Sequence, residues 1–170
     1  MIQQICCFIL ILISFLISNE IEVKPILLKG KITNPKEEIS GLDWYKNDLI
    51  LLPENLNGYV YIIPKKEIIQ SLSTDNPNPI LPLKNKFKTP NYSLLINGFE
   101  GFESIAFYDD KFIITIEAEE EKIMKSYMAW GKISPETLNM TITKDNLIEI
   151  KTPIQVKNMT YESALIYKND

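Results

Sequence analysis

Gly101-Phe102-Glu103-Ser104-Ile105-Ala106-Phe107-Tyr108 runs into the polar turn Asp109-Asp110-Lys111 and continues as Phe112-Ile113-Ile114-Thr115-Ile116. Short apolar runs cut by turn-forming residues, with no sustained helical period, predict a β-hairpin here. The same plan stands earlier, where Ser40-Gly41-Leu42-Asp43-Trp44-Tyr45 meets Lys46-Asn47-Asp48 and then Leu49-Ile50-Leu51-Leu52. It begins a third time at Glu162-Ser163-Ala164-Leu165-Ile166-Tyr167. Tyr45, Tyr108 and Tyr167 mark equivalent positions, and the two intervals between them are nearly equal. A near-constant period is what repeat architectures leave in sequence.

Each full copy offers further strands. Tyr59 to Ile63, ended by Pro64, follows Asn57-Gly58, which supplies the positive φ of a tight hairpin. Its counterpart runs from Tyr127 through Trp130 to Ile133, and Ile80 to Leu83 and Leu147 to Ile150 are the expected fourth strands. Four antiparallel strands per copy predict an all-β fold: a partial β-propeller of about two and a half four-stranded blades of a larger ring, spanning 20–170. A ring closes with at least about four blades, so the chain reads as the N-terminal portion of a longer protein. A β-sandwich is the alternative, since it also spaces short strands regularly. One helix is expected from Pro64 to Leu72, and a loop across Pro77, Pro79 and Pro82. Trp44, Phe107 and Ile166 occupy equivalent positions and are expected to pack between blades.

Outward from the repeat, the chain begins with a largely apolar run, Ile5 to Ile17, followed by Ser18-Asn19-Glu20. Residues 1–19 therefore read as a signal peptide or an N-terminal anchor. The run is shorter than the roughly 20 residues that span a bilayer, which favours a cleaved signal and an exported protein in the periplasm, at the cell surface or outside the cell. Two features depart from the usual signal: no lysine precedes the run, and Leu16 stands where a small residue is preferred before a cut at Ser18. Both cysteines, Cys6 and Cys7, lie inside this segment, so a processed chain has no disulfide framework.

The net charge of −4 supplies no basic surface, which argues against a nucleic-acid partner. All 18 basic residues are lysines and histidine is absent, removing the commonest general base and transition-metal ligand. Without histidine, Ser104 and Ser163 cannot join the familiar serine triad. Three Asn-x-Ser/Thr triplets, at Asn91, Asn139 and Asn158, match glycosylation acceptors in a chain rich in asparagine. Any chemistry is left to carboxylates, hydroxyls, lysines or a hard cation.

Ile39-Ser40-Gly41-Leu42-Asp43-Trp44, Gly101-Phe102-Glu103-Ser104-Ile105-Ala106-Phe107, Ile114-Thr115-Ile116-Glu117-Ala118 and Glu162-Ser163-Ala164-Leu165 resemble the blade openings of bacterial phytase-like, or esterase-like, β-propeller proteins. The resemblance covers residues 38–170. It implies an exported propeller with acidic cation sites around a central channel and, for some relatives, phosphoester hydrolysis. The first copy departs from it, with Ser40 where the next two have Glu103 and Glu162.

The repeat alignment places Ser40, Glu103 and Glu162 at the start of successive innermost strands. The loop after the second strand of the second copy, expected to hold Glu117, Glu119, Glu120 and Glu121, faces the same rim. Clustered carboxylates repel one another, so a cation neutralises them or their pKa values rise. Calcium fits an all-oxygen donor set. Glu103, Glu162 and Glu117 are the candidate metal ligands, and Glu38, Ser40 and Glu119 the candidate ligand rim. No catalytic residue is assigned. A small-molecule or envelope ligand is the expected partner, with no membrane contact beyond the N-terminal segment. A non-catalytic binding scaffold is the competing function, and an acidic run such as Glu119-Glu120-Glu121-Lys122 is equally readable as a solvated loop.

Overall fold

The computed structural model describes residues 23–55, 58–151 and 160–167. The export signal read from Ile5–Ile17 lies outside them. No helix among the described residues is long and apolar enough to cross a membrane.

The repeat period is visible in the backbone. β1 (Ile39–Tyr45), β2 (Asp48–Pro53), β3 (Tyr59–Pro64) and β4 (Leu83–Lys88) pair in sequence as an antiparallel meander. β5 (Phe99–Tyr108), β6 (Lys111–Glu120), β7 (Ile123–Ile133) and β9 (Leu147–Ile150) form a second. Lys46 and Asp109, one period apart, open the two equivalent hairpin turns with positive φ values of 54° and 49°. A two-residue strand, β8 (Met140–Thr141), joins the meanders by pairing antiparallel with the end of β7 and parallel with β4. The result is one mostly β sheet of nine strands, ordered β1-β2-β3-β4-β8-β7-β6-β5 with β9 beside β8 on the same edge of β7, and nearly closed like a barrel.

The closing seam between β1 and β5 has no backbone ladder. Gly41 permits the close approach, since a Cβ there would lie 3.0 Å from the Ser104 Cα and the Ile105 nitrogen. Side chains stitch the rest: the Asp43 carboxylate accepts from the Phe107 N–H at 2.8 Å, and the Tyr45 hydroxyl donates to Asp110 at 2.6 Å. The Tyr45 hydrogen bond, and then the Lys46 ammonium at 3.2 Å, hold the Asp110 carboxyl below its ordinary range. Tyr45→Phe is expected to cost about 1 kcal/mol in urea denaturation, because Asp110 recovers water when the phenol is lost. An unchanged midpoint would show that the Tyr45 hydroxyl adds nothing to the seam beyond the packing of its ring.

Two apolar clusters flank the first meander. The larger one lies between the meanders and gathers Tyr45, Ile50, Leu52, Val60 and Ile62 with Phe102, Phe112, Ile114 and Ile116. The smaller one, Leu51, Tyr61, Ile63, Ile68 and Ile80, is covered by α1 (Lys65–Leu72) and residues 26–32. Alternation along β2 and β3 sends one face to each cluster. A one-turn helix, α2 (Tyr92–Leu95), leads into β5, and two 3₁₀ turns, Lys31–Thr33 and Pro35–Glu37, precede β1.

Three expectations need correction. The fourth strand of the first copy is Leu83–Lys88, not 80–83: Pro82 lacks the N–H a ladder needs, and Ile80 instead bridges Leu28. Glu117, Glu119 and Glu120 lie on β6 rather than in a loop, because the hairpin extends to a turn at Glu121 and Lys122, both with positive φ. Trp44 is 43% exposed and faces away from the core, with the Lys65 ammonium 6.0 Å from its ring centroid. Its neighbour Tyr45, on the opposite side of the pleat, takes the buried position. The all-β expectation holds at the level of a mostly β chain, and β8, a strand the repeat does not announce, joins the two meanders in one sheet.

Candidate functional site

Backbone irregularity gathers the carboxylates. In β1, Ile39 pairs with Pro53 and Gly41 with Leu52, leaving Ser40 as the extra residue of a β-bulge. In β5, Phe102 pairs with Ile116 and Ser104 with Thr115, so Glu103 is the extra residue at the equivalent position. A bulge re-aims the side chain it carries.

Glu103 is half-buried, with the exposed Glu162 the first of the carboxylates whose charge acts on it. Burial first, then the charges of Glu162, Glu117 and Glu54, push its pKa up to about 7. Glu117 is 4% exposed and accepts from the Thr160 hydroxyl at 2.6 Å. Beside it, Thr115 donates to the Tyr161 carbonyl at 2.8 Å, which makes Ser104 the donor in the 2.6 Å bond between the two buried hydroxyls. Residues 160–167 are thereby laid against β5 and β6.

Glu54, at the corner after β2, completes the group. Burial raises its pKa, followed by the charges of Glu38, Glu117, Glu100 and Glu162. Of the predicted residues, Glu103, Glu162 and Glu117 thus stand together. Glu38 lies at the margin, accepting from the Asn55 side chain at 3.3 Å. The Ser40 hydroxyl reaches the Leu52 carbonyl at 3.4 Å, and Glu119 continues along half-buried β6, its N–H bonded to the Gly98 carbonyl at 2.9 Å. Sequence reading missed Glu54 and Glu100. A signal for Glu54 was present, since Glu117 follows it by the same interval that separates Tyr45 from Tyr108.

Among the described residues, no group of three or more histidine, cysteine, aspartate or glutamate side chains is arranged to hold a metal ion. The donor chemistry, carboxylate oxygens throughout, is of the kind that suits a hard cation. Next to the Glu54 corner lies a cavity of about 430 Å³ lined by Asn55, Thr89, Asn91, Tyr92 and Phe99, within the ordinary size range for small-ligand sites. The Tyr92 hydroxyl in its wall is buried without a hydrogen-bond partner among the described residues, and burial pushes its pKa up. A larger cavity, about 670 Å³, lies away from the carboxylates between α1 and the 74–81 loop. Comparison with known proteins returned no match to any family model, curated protein or solved structure.

Proposed function

We propose that the chain forms part of an exported β-propeller of the phytase-like kind, whose acidic end binds calcium or a small ligand, with phosphoester hydrolysis by metal-activated water as the activity of the complete protein. The observation that carries the reading is the bulged Glu103 paired with Glu162, at the position where the repeat puts a strand-start residue in each copy. A pair that retains a proton near neutrality is one a cation can relieve, by replacing that proton and neutralising Glu117 and Glu54 as well. A non-catalytic binding scaffold is the second reading, favoured by the partly aromatic cavity beside the Glu54 corner.

Calcium at tenfold excess over its dissociation constant is expected to stabilise the protein by about 1.4 kcal/mol, visible as a raised melting temperature. The double variant Glu103→Gln/Glu162→Gln should lose that gain and keep the wild-type circular dichroism. If calcium leaves the wild-type melting temperature unchanged, the cation reading fails and the scaffold reading replaces it.

A further inference from the structure

The two meanders dock on each other in a way that the chain starts to repeat. At the first junction, Phe102 donates its N–H to the Glu54 carbonyl at 3.2 Å, and Gly101 lies so close that a Cβ there would stand 2.5 Å from Glu54 Cγ. Moving each partner on by its own period, the Tyr45-to-Tyr108 interval for Glu54 and the Tyr108-to-Tyr167 interval for Gly101, leads to Glu117 and Thr160. Those two residues are joined by the 2.6 Å hydrogen bond already described. The same shift takes Leu52 and Phe102, both in the core between the meanders, to Thr115 and Tyr161, which are also hydrogen-bonded. Residues 160–161 therefore sit on the second meander as residues 101–102 sit on the first.

The rest of that junction has a counterpart without an occupant among the described residues. The first meander presents Tyr45, Ile50, Val60 and Ile62 to the second, all 3% exposed or less. Their equivalents by period and strand register are Tyr108, Ile113, Met128 and Trp130. Tyr108 is 39% exposed, and Ile113, Met128 and Trp130 are only partly buried. Ile148, opposite Met128 on β9, is 44% exposed. The opening of the third copy is itself uncovered beyond residue 161, with Leu165 86% and Tyr167 78% exposed.

We infer that the face bearing Tyr108, Ile113, Met128, Trp130 and Ile148 is the docking surface for a third antiparallel meander of this same repeat, of which residues 160–167 are the first strand. This rests on the repeat reading of the preceding section but not on any property of the carboxylates. An apolar sheet face of this kind is stable in water only when another layer covers it.

The test uses a Trp44→Phe background, which leaves Trp130 as the sole tryptophan. In one protein the full chain is kept; in the other, residues 109–151 are copied after Tyr167, with phenylalanine replacing tryptophan in the copy so that Trp130 stays the sole tryptophan, and the third opening continues into a hairpin of its own kind. Acrylamide quenching of Trp130 is expected to fall severalfold in the extended chain. Met128→Lys should be tolerated in the full chain and should restore quenching in the extended one. Unchanged quenching in an extended chain whose added segment resists protease would overturn the inference. So would unfolding of the unextended chain by Met128→Lys, which would show the face already filled. A concentration-dependent dimer of the unextended chain, dispersed by Met128→Lys, would assign the face to a second copy and overturn it too. Protection of Trp130 without any calcium response would leave this inference standing while the cation reading fell; the converse pattern would do the opposite.

Discussion

Glu37→Ala is expected to lower stability by about 2 kcal/mol, read as a reduced urea midpoint with an unchanged slope. Glu37 ends the second 3₁₀ turn and is 4% exposed, beside a Lys31 side chain that is 48% exposed. It accepts from the Tyr59 hydroxyl at 2.8 Å and the Tyr61 hydroxyl at 2.9 Å, and pairs with the Lys31 ammonium at 3.0 Å. Burial alone would raise its pKa, but Tyr59, Lys31 and Tyr61 outweigh burial and hold the carboxyl below its ordinary range. Removing the carboxylate leaves the buried Tyr61 hydroxyl without its acceptor, which costs more than the bond itself contributed. Solvent at the half-exposed Lys31 keeps the figure below the roughly 3–5 kcal/mol typical of a broken, deeply buried pair. Glu37→Gln, which retains an acceptor, should lose about half as much. A wild-type midpoint for the alanine variant would mean that water replaces the carboxylate at no cost and that the turn is not anchored through Tyr61.

The contrast between this anchor and the sheet shows what was legible before the structure. Strand positions followed from alternation and turn residues, because a two-residue period and a polar break act within a short stretch of chain. Helix α1 was legible for the same reason, with Pro64 as its N-cap and Ile68 on its buried side. Glu37 was not, since its partners Tyr59 and Tyr61 are distant in sequence and nothing local marks a glutamate that will be buried. β8 was equally hidden: so short a strand carries no period, and its pairing is decided by where β4 and β7 come to rest. At the acidic end, the repeat brought Glu103, Glu162 and Glu117 to attention, but the bulge that aims Glu103 depends on a register between strands that sequence does not print. The strand assignment of Glu117 and Glu119 went unread because a run as acidic as Glu117-Ala118-Glu119-Glu120-Glu121 resembles a solvated loop more than a buried edge.

Raising the pH from 5 to 8 is expected to destabilise the protein by about 2 kcal/mol, the reverse of what paired carboxylates usually do. Glu103 titrates near 4.5 when unfolded and near 7 when folded, so between those values the native state keeps a proton that the unfolded state releases. Stability is therefore full below about pH 4.5 and is lost as the pH rises through 7. A shift of this size would correspond to about 3.4 kcal/mol for a wholly buried group, and water reaching about half of Glu103 lowers the expectation to about 2. The groups acting on it are Glu162 on residues 160–167, Glu117 on β6 and Glu54 after β2, all carboxylates. Glu37, Asp110 and Glu120, whose pKa values are lowered, contribute stability that is lost only as the pH falls below the ordinary carboxylate range, so the two windows scarcely overlap. Loss should begin locally, since repulsion acts on Glu162 and the segment carrying it is tied down chiefly through Thr160 and Tyr161. Cleavage within residues 160–167 in limited proteolysis, corrected for the protease's own pH dependence, should rise above pH 7 before cleavage within β1 to β7. Glu103→Gln keeps the volume without the charge, and should flatten the profile and exceed the wild type in stability at pH 8. A urea midpoint that stays level or climbs from pH 5 to 8 would mean that Glu103 is ionised without strain, and that Glu162 lies against it only as one solvated carboxylate beside another.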